Sequence, residues 1–481
     1  MINGKTDYQT CEYADFQPLP DGTVYSVRKN FCPFSTPHLE AYASILGDDR
    51  IERLRRVADK LKNLKILELN STARGGGVAE MLYSSIPFLN SINIETEWKV
   101  INGNEDYFEC TKNIHNMLQG KKDFFSPEKQ LYYMHAIEEA ANNNISDYSP
   151  DVVVIHDPQP MGLIQHIKKP GETWFWRCHI DIEEENFKAN PELWDFFSER
   201  IVQYEATIFS AAGHVVSRWP VPKFIVPPFI DPLSEKNREM TKDEIIKTLN
   251  KYSIEPNIPI IAQIGRFDPW KGIDRTIATY RYVRERIKCQ LILAGGLSTD
   301  DPEGERLLAR VYDMVKGDEN IHILNLPLEN RQNNYREVNA LQRAASVIIQ
   351  PSTKEGFGLV ITEALWKRKP VIASNVGAIP LQIKENTTGF FYDNPNRTGE
   401  KVLYLLGHPK VAAKIGAEGR RYVEENFLLP DRIADYLMAI YVTVYGVVDR
   451  KIYNECVVSF RPWFRKDKFK WGRIQYSDLS E

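Results

Sequence analysis

Two cations and two carboxylates, each beside glycines, carry the chemistry that this chain could do. Arg266 and Lys271 stand in the run GRFDPWKG at 265–272, and Glu355 and Glu363 bracket seven residues in EGFGLVITE at 355–363. An Arg and a Lys on one tight loop can grip a diphosphate, because a departing diphosphate gathers negative charge that needs cations or aligned dipoles. The segment Leu359-Val360-Ile361-Thr362-Glu363-Ala364-Leu365-Trp366 reads as a helix, closed by Lys367, Arg368 and Lys369 and stopped by Pro370. Gly356, Phe357 and Gly358 must turn the chain into it. The unpaired N–H groups of its first turn, at Leu359 and Val360, then add a positive end at the same place. A carboxylate there can accept hydrogen bonds from vicinal hydroxyls. Phosphate plus diol suits a sugar nucleotide. A plain strand–turn–helix with two surface glutamates has the same spacing, and short motifs match often by chance.

The first half offers a second group. His156 and Asp157 follow the apolar run DVVVI at 151–155, while Arg177 closes the run TWFWRC at 173–178 and His179 and Asp181 follow it. Ligands of open α/β sheets bind beyond the carboxyl ends of the strands, so all five fall where a site would lie. One such histidine is more often a structural hydrogen-bonder; two strand ends in one half bring a site level with that reading. Upstream, STARGGG at 71–77 puts Gly75, Gly76 and Gly77 between an apolar strand at 64–69 and a helix at 78–89. Glu80 breaks the G-x-G-x-x-G spelling, and no G-x-x-x-x-G-K-[ST] is present, so the dinucleotide and P-loop readings fail. That also argues against an NAD-dependent oxidoreductase. Three glycines still bring backbone close to a ligand; an ordinary tight turn is the plain alternative. No Asp-x-Asp occurs, and no C-x-x-C, so no metal is expected.

Positioning these groups requires strands alternating with helices. Beyond those above, helical periodicity marks 51–61, strands are expected at 211–217, 258–264, 290–296, 320–324 and 346–349, and a helix at 273–287. Pro220, Pro222, Pro227, Pro228 and Pro232 forbid regular helix or central strand across 219–237, which reads as a linker. The strand, Gly loop and helix that open the first half recur after it. The fold expected is therefore α/β, with two Rossmann-like parallel-sheet domains facing across a cleft. We place an acceptor-side domain at 1–230, a nucleotide-sugar domain at 231–430, and a crossing helix with a tail packed on the first domain at 431–481. Helical sequence runs from Pro430 through Tyr445, and the basic-aromatic tail after Arg450 reads as aromatics laid on another domain with lysines in water.

With 481 residues, 43% hydrophobic, the chain can build such cores. Its formal net charge of −4 provides no field for nucleic acid. Cys11, Cys32, Cys110, Cys178, Cys289 and Cys456 are scattered, as expected of free thiols in a reducing compartment. The polar N-terminus lacks an apolar leader core, so a cytoplasmic protein is expected. The uncharged stretch Tyr436–Val448 is too short to span a bilayer, which takes about 20 residues. A homodimer stays open.

The Gly-Arg-x-x-x-x-Lys-Gly loop and the Glu-x7-Glu helix, in that order, resemble the retaining GT-B glycosyltransferases of the glycogen-synthase and sucrose-synthase group. The resemblance covers most of the chain up to about Arg450. It implies that Arg266 and Lys271 hold the donor diphosphate, that Glu355 lies near the donor sugar, and that Glu363 holds the ribose. It also implies no cofactor, the sugar nucleotide being a substrate. NSTARGGGVAEML at 70–82, HDPQP at 156–160 and WRCHID at 176–181 are similar, more narrowly, to the trehalose glycosyltransferring synthases. Those join glucose from a nucleoside-diphosphate glucose to free glucose, both anomeric centres being α. On that likeness His156 lies beside the donor sugar and the Gly75–Gly77 loop near phosphate and acceptor. Asp157, Arg177, His179 and Asp181 become acceptor-side candidates. Transferases of the same build that use sucrose-type, mannosyl or lipid acceptors, and a non-catalytic sugar-binding protein, are the alternatives.

Overall fold

The computed structural model describes residues 22–25, 39–74, 76–101, 103–144, 149–182, 184–296, 302–326 and 330–446. Gly75, Cys11, Cys32, Cys456 and the basic-aromatic tail lie outside them. Cys110, Cys178 and Cys289 are free thiols.

Seven strands make the first sheet: β1 Thr23–Tyr25, β2 Lys65–Asn70, β3 Glu95–Val100, β4 Val152–His156, β5 Thr173–Cys178, β6 Ala206–Phe209 and β7 Lys223–Ile225. Their order is β1-β3-β2-β4-β5-β6-β7. All pairs are parallel except β1 with β3. Six strands make the second: β8 Ile260–Ile264, β9 Gln290–Gly295, β10 Ile321–Asn325, β11 Val347–Gln350, β12 Val371–Ala373 and β13 Phe390–Phe391. They run parallel in the order β10-β9-β8-β11-β12-β13. Central strands such as VVVIH and VIIQ are buried along their whole length. That is why they read as continuous apolar runs rather than alternating ones: helices cover both faces of a parallel sheet. The two-domain α/β architecture expected from the alternating pattern is what the chain adopts, with the two sheets facing across a cleft.

Two expectations need correction. Residues 211–217 are not a strand; β6 lies earlier, at Ala206–Phe209, and Ala212–His214 form a single 3-10 turn. The β-branched pair Thr207-Ile208 sits in the central register against β5, whereas Gly213 has no side chain to pack there. The proline-rich run 219–237 is also not wholly irregular. It contains β7 between Pro222 and Pro227. Being the edge strand, β7 pairs on one side only, and an edge tolerates flanking prolines.

The helix Leu429–Tyr445 returns to the first domain and packs on the helix Asp48–Leu61. Leu54, Leu61, Leu437 and Ile440 share one buried apolar cluster with Ile348 and Ala364 of the second domain. Arg50 is paired with Asp431, and Arg53 Nη2 lies 2.7 Å from Asp435 Oδ1. Arg432 closes on the same carboxylate at 2.9 Å. Ile230 and Leu428 form a parallel bridge where the chain enters and leaves the second domain.

Candidate active site

A cavity of about 450 Å³ lies between the two domains, at the carboxyl ends of both sheets. From the second domain it takes Arg266, Lys271, Glu355, Gly356, Phe357, Gly358, Leu359, Val360 and Glu363; from the first, Gly76, Gly77, His156, Asp157 and His179. The expected groups are thus brought together, with two exceptions. Arg177 is buried beneath the cavity, its guanidinium 5.4 Å from the centre of the Tyr436 ring. Asp181 is buried behind it, with Oδ1 3.3 Å from His214 Nε2. Neither lines the cavity.

Glycines set the second-domain geometry. Gly272 closes the cation loop in the left-handed region (φ 62°), and a side-chain carbon there would strike the Pro351 carbonyl. The cation loop therefore lies directly on the strand end that precedes Glu355. Gln263 Nε2 donates to the Lys271 carbonyl at 2.7 Å and fixes the loop from β8. Lys271 Nζ donates to Glu355 Oε2 at 2.6 Å, and Ser352 Oγ donates to the same oxygen at 3.2 Å. Arg266 lies 3.5 Å from Asp268. Burial would raise the Asp268 pKa, but Arg266 and Lys271 hold it below the ordinary aspartate value. Gly358 (φ 84°) turns the chain into the helix Leu359–Trp366. The start of that helix lies close to Gly77 across the cleft, where an added side-chain carbon would meet Leu359 Cδ1 at 3.4 Å.

Glu363 is 1% exposed and has a neighbour at each oxygen. Gln342 Nε2 donates to Oε2 at 3.0 Å, and Lys236 Nζ stands 2.8 Å from Oε1. The same ammonium donates to Glu80 Oε1 at 2.5 Å, so Lys236 bridges a carboxylate from each domain. Burial would raise both carboxyls. Lys236 and Lys367 hold Glu363 below its ordinary value, while Glu80 is left raised to about 7, with Lys236 pulling it down and Glu363 pushing it up. Lys367, expected merely to close the helix, is buried and donates to Asn237 Oδ1 at 2.8 Å.

On the first-domain side, Asp157 takes a left-handed backbone (φ 63°), which aspartate tolerates better than most residues. Its Oδ1 accepts from the His179 N–H at 2.7 Å and so ties the two strand ends together. Burial raises its pKa to about 7, against the pull of the His179 backbone bond and Arg177. The His156 and His179 rings are within 13° of parallel, with centres 5.1 Å apart, and meet edge to edge. The helix Glu105–Leu118 adds Lys112 and His115 to the wall near Arg266. Burial, with Lys112 and Arg266 beside it, presses His115 down to about 4.

Sequence reasoning missed Lys236, Glu80, Glu68, Tyr436 and His115. For Glu68 a signal existed: a lone carboxylate inside the apolar strand KILELN, where a buried charge demands partners. Lys236 gave none, because its partners come from distant segments.

Comparison with known proteins matches residues 68–216 to the family described as "Trehalose synthase, N-terminal domain" and residues 244–422 to "Glycosyl transferases group 1". A trehalose synthase of Pyrococcus horikoshii is 41% identical over 403 residues, covering 83% of this chain and 95% of that one. Another, from Rubrobacter xylanophilus, is 35% identical over 406 residues, with the same coverage of each chain. In fold, the chain is similar to a sucrose-phosphate synthase from Thermosynechococcus elongatus, with a TM-score of 0.60 and 16% identity, over 80% of this chain and 100% of that one. Identity and coverage of that extent, on a two-sheet cleft of this geometry, make the chain a member of the trehalose synthase family of GT-B glycosyltransferases.

Proposed function

We propose that the chain transfers glucose from a nucleoside-diphosphate glucose to free glucose, with retention, giving α,α-trehalose and the nucleoside diphosphate. The observation that carries this reading is the convergence of Arg266, Lys271, Glu355 and the Leu359–Trp366 helix start on one cavity, opposite His156 and His179. Arg266, Lys271 and the helix N–H groups take the charge that gathers on the departing diphosphate. Glu355, held by Lys271, orients the donor glucose and balances developing positive charge. Glu363 receives the ribose, which must then share that carboxylate with Lys236. The acceptor hydroxyl attacks the anomeric carbon from the face the diphosphate leaves. Its proton goes to a diphosphate oxygen, so the α configuration is kept without a protein nucleophile. Gly76 and Gly77 let backbone approach the phosphate and acceptor; Asp157 and His179 serve the acceptor side.

Two side-chain cations and a helix start replace the metal of Asp-x-Asp enzymes, so activity should survive a chelator. Loss of turnover restored only by Mg²⁺ or Mn²⁺ would refute that part. Among the described residues no helix is long and apolar enough to cross a membrane. The free thiols suit a reducing compartment, and we place the enzyme in the cytoplasm. The test of the whole reading is incubation with nucleoside-diphosphate glucose and glucose, followed by NMR of the product. A non-reducing disaccharide with two α anomeric centres is expected. A reducing disaccharide, sucrose, or transfer only to a lipid or phosphorylated acceptor would overturn the trehalose assignment.

A further inference from the structure

Glu68 stands in the middle of β2, 2% exposed, among isoleucine and leucines. A carboxylate in such a place is retained only if both oxygens find donors. Both do, and the donors come from distant parts of the chain. Tyr436, on the helix that crosses back from the second domain, donates its hydroxyl to Oε1 at 2.7 Å. His156 Nε2 meets Oε2 at 2.6 Å.

A carboxylate only accepts, so the His156 proton sits on Nε2. Its other nitrogen, Nδ1, is then a lone pair, and it lies 2.9 Å from His179 Nε2, which must donate. The order of donors runs one way along the chain. Both rings are Nε2–H tautomers, and the last atom, His179 Nδ1, is a buried acceptor with no partner among the described residues. Because both His156 ring nitrogens are taken up by the protein, that imidazole is not free to move a proton to or from a sugar. Both residues line the cavity.

We infer that Glu68 and Tyr436 are positioning residues that act through His156 to fix the tautomer and orientation of His179, whose Nδ1 serves as a hydrogen-bond acceptor for a hydroxyl of the bound sugars. The inference rests on the reading of this cavity as the transfer site. Tyr436 ties it to the whole fold: the returning helix supplies one of the two donors that hold Glu68. The arrangement requires neutral rings, since a second proton on His156 would face the His179 N–H, and one on His179 would remove the acceptor. The surroundings favour that state. Burial pushes both rings down; Arg177 pushes the same way, and Glu68 pulls His156 up. Asp157, joined to the His179 backbone, Tyr436 and the buried Cys178 thiol are further titratable groups beside the pair.

The test uses the full chain labelled with 15N-histidine, and the variants Glu68→Gln and Tyr436→Phe. In the parent protein the ring nitrogen shifts of His156 and His179 should both report Nε2–H. In Glu68→Gln the amide can donate, so His156 should lose its single tautomer. Turnover should then fall on the order of 10²-fold, with donor KM within about threefold, because orientation at the reacting centre is lost and donor binding is not. The acid limb of the turnover profile should move to lower pH, since the carboxylate that raised the His156 pKa is gone. Tyr436→Phe keeps the carboxylate but frees its Oε1, so both rings should stay Nε2–H, turnover should fall in smaller measure, and the acid limb should move to higher pH; it keeps the test alive if Glu68→Gln fails to fold. A single His156 tautomer retained in folded Glu68→Gln overturns the proposal, as does lost turnover with an unmoved acid limb in either variant. The NMR arm needs no product, and the kinetic arm uses whichever acceptor turns over. A failure of the trehalose reading is therefore distinguishable from a failure of this one.

Discussion

Lys271 is bonded to Glu355 before any ligand is considered, so removing it should be felt at two groups. Lys271→Ala should lower turnover by on the order of 10²-fold, the effect of one lost transition-state charge contact, while the melting temperature stays near that of the parent. Steady-state kinetics with a glucose donor checks this; near-normal turnover would remove Lys271 from the diphosphate site. Lys367 gives a prediction about pH. Burial lowers its pKa to about 7, with Lys236 and Arg343 pushing the same way and Glu363 opposing. Below pH 7 it is charged in both folded and unfolded states, and its burial costs stability. From about 7 to the unfolded lysine value the unfolded chain binds more protons, so stability rises with pH over that window. Lys367→Met should reduce the rise, leaving the part that Lys369 contributes, whose pKa burial and Arg343 lower to about 8, as read from urea midpoints at pH 6, 7.5 and 9. At this scale the sequence was most legible where function is contiguous: Arg266 and Lys271 share one loop, Glu355 and Glu363 one turn and helix. Glu68, Lys236 and Tyr436 stayed hidden because each derives its role from partners far along the chain.

Elements meet at glycines in this site. A side-chain carbon on Gly356 would collide with the His179 carbonyl oxygen, and one on Gly377 (φ 53°) with the Glu355 carbonyl. Gly356→Ala should therefore separate the Glu355 loop from the first-domain strand end. We expect turnover to drop more than tenfold and domain closure, followed by small-angle scattering with bound nucleotide, to be incomplete, since misplacement by about 1 Å costs on the order of 10²-fold. Turnover and closure equal to the parent's would mean that the contact gives way freely. Strands and helices with strong patterns were readable nearly to the residue: Leu359–Trp366 and Thr173–Cys178 fall where expected. The exceptions have a common cause. Around β6 and β7, short apolar runs lie beside glycine and proline, and whether such a run becomes a strand is decided by the neighbouring strand, not by its own residues.

Across the whole molecule, the returning helix fastens the end of the described chain to its beginning. Asp435 is fully buried between Arg53 and Arg432. Asp435→Asn leaves two guanidiniums without their carboxylate, a change that costs about 3 kcal/mol in comparable buried pairs. Thermal denaturation should show the loss, and Arg53→Met combined with it should restore part of it; full stability in the single variant would mean that solvent reaches the pair. That the two halves face each other across a ligand cleft could be read from the repeated strand–loop–helix opening. That the connection between them enters the site could not, because a proline-rich segment carries no periodicity to say where it passes. Lys236 lies on that connection, between a carboxylate of each half. The residue joining the domains is thus also a wall of the cavity, and the two halves are not interchangeable parts. A chimaera pairing this first half with another family member's second half must carry residue 236 together with the two carboxylates it joins. If it carries the carboxylates without the lysine, the graft leaves two buried carboxyls facing each other in the cavity with no cation between them, whatever the quality of the two halves.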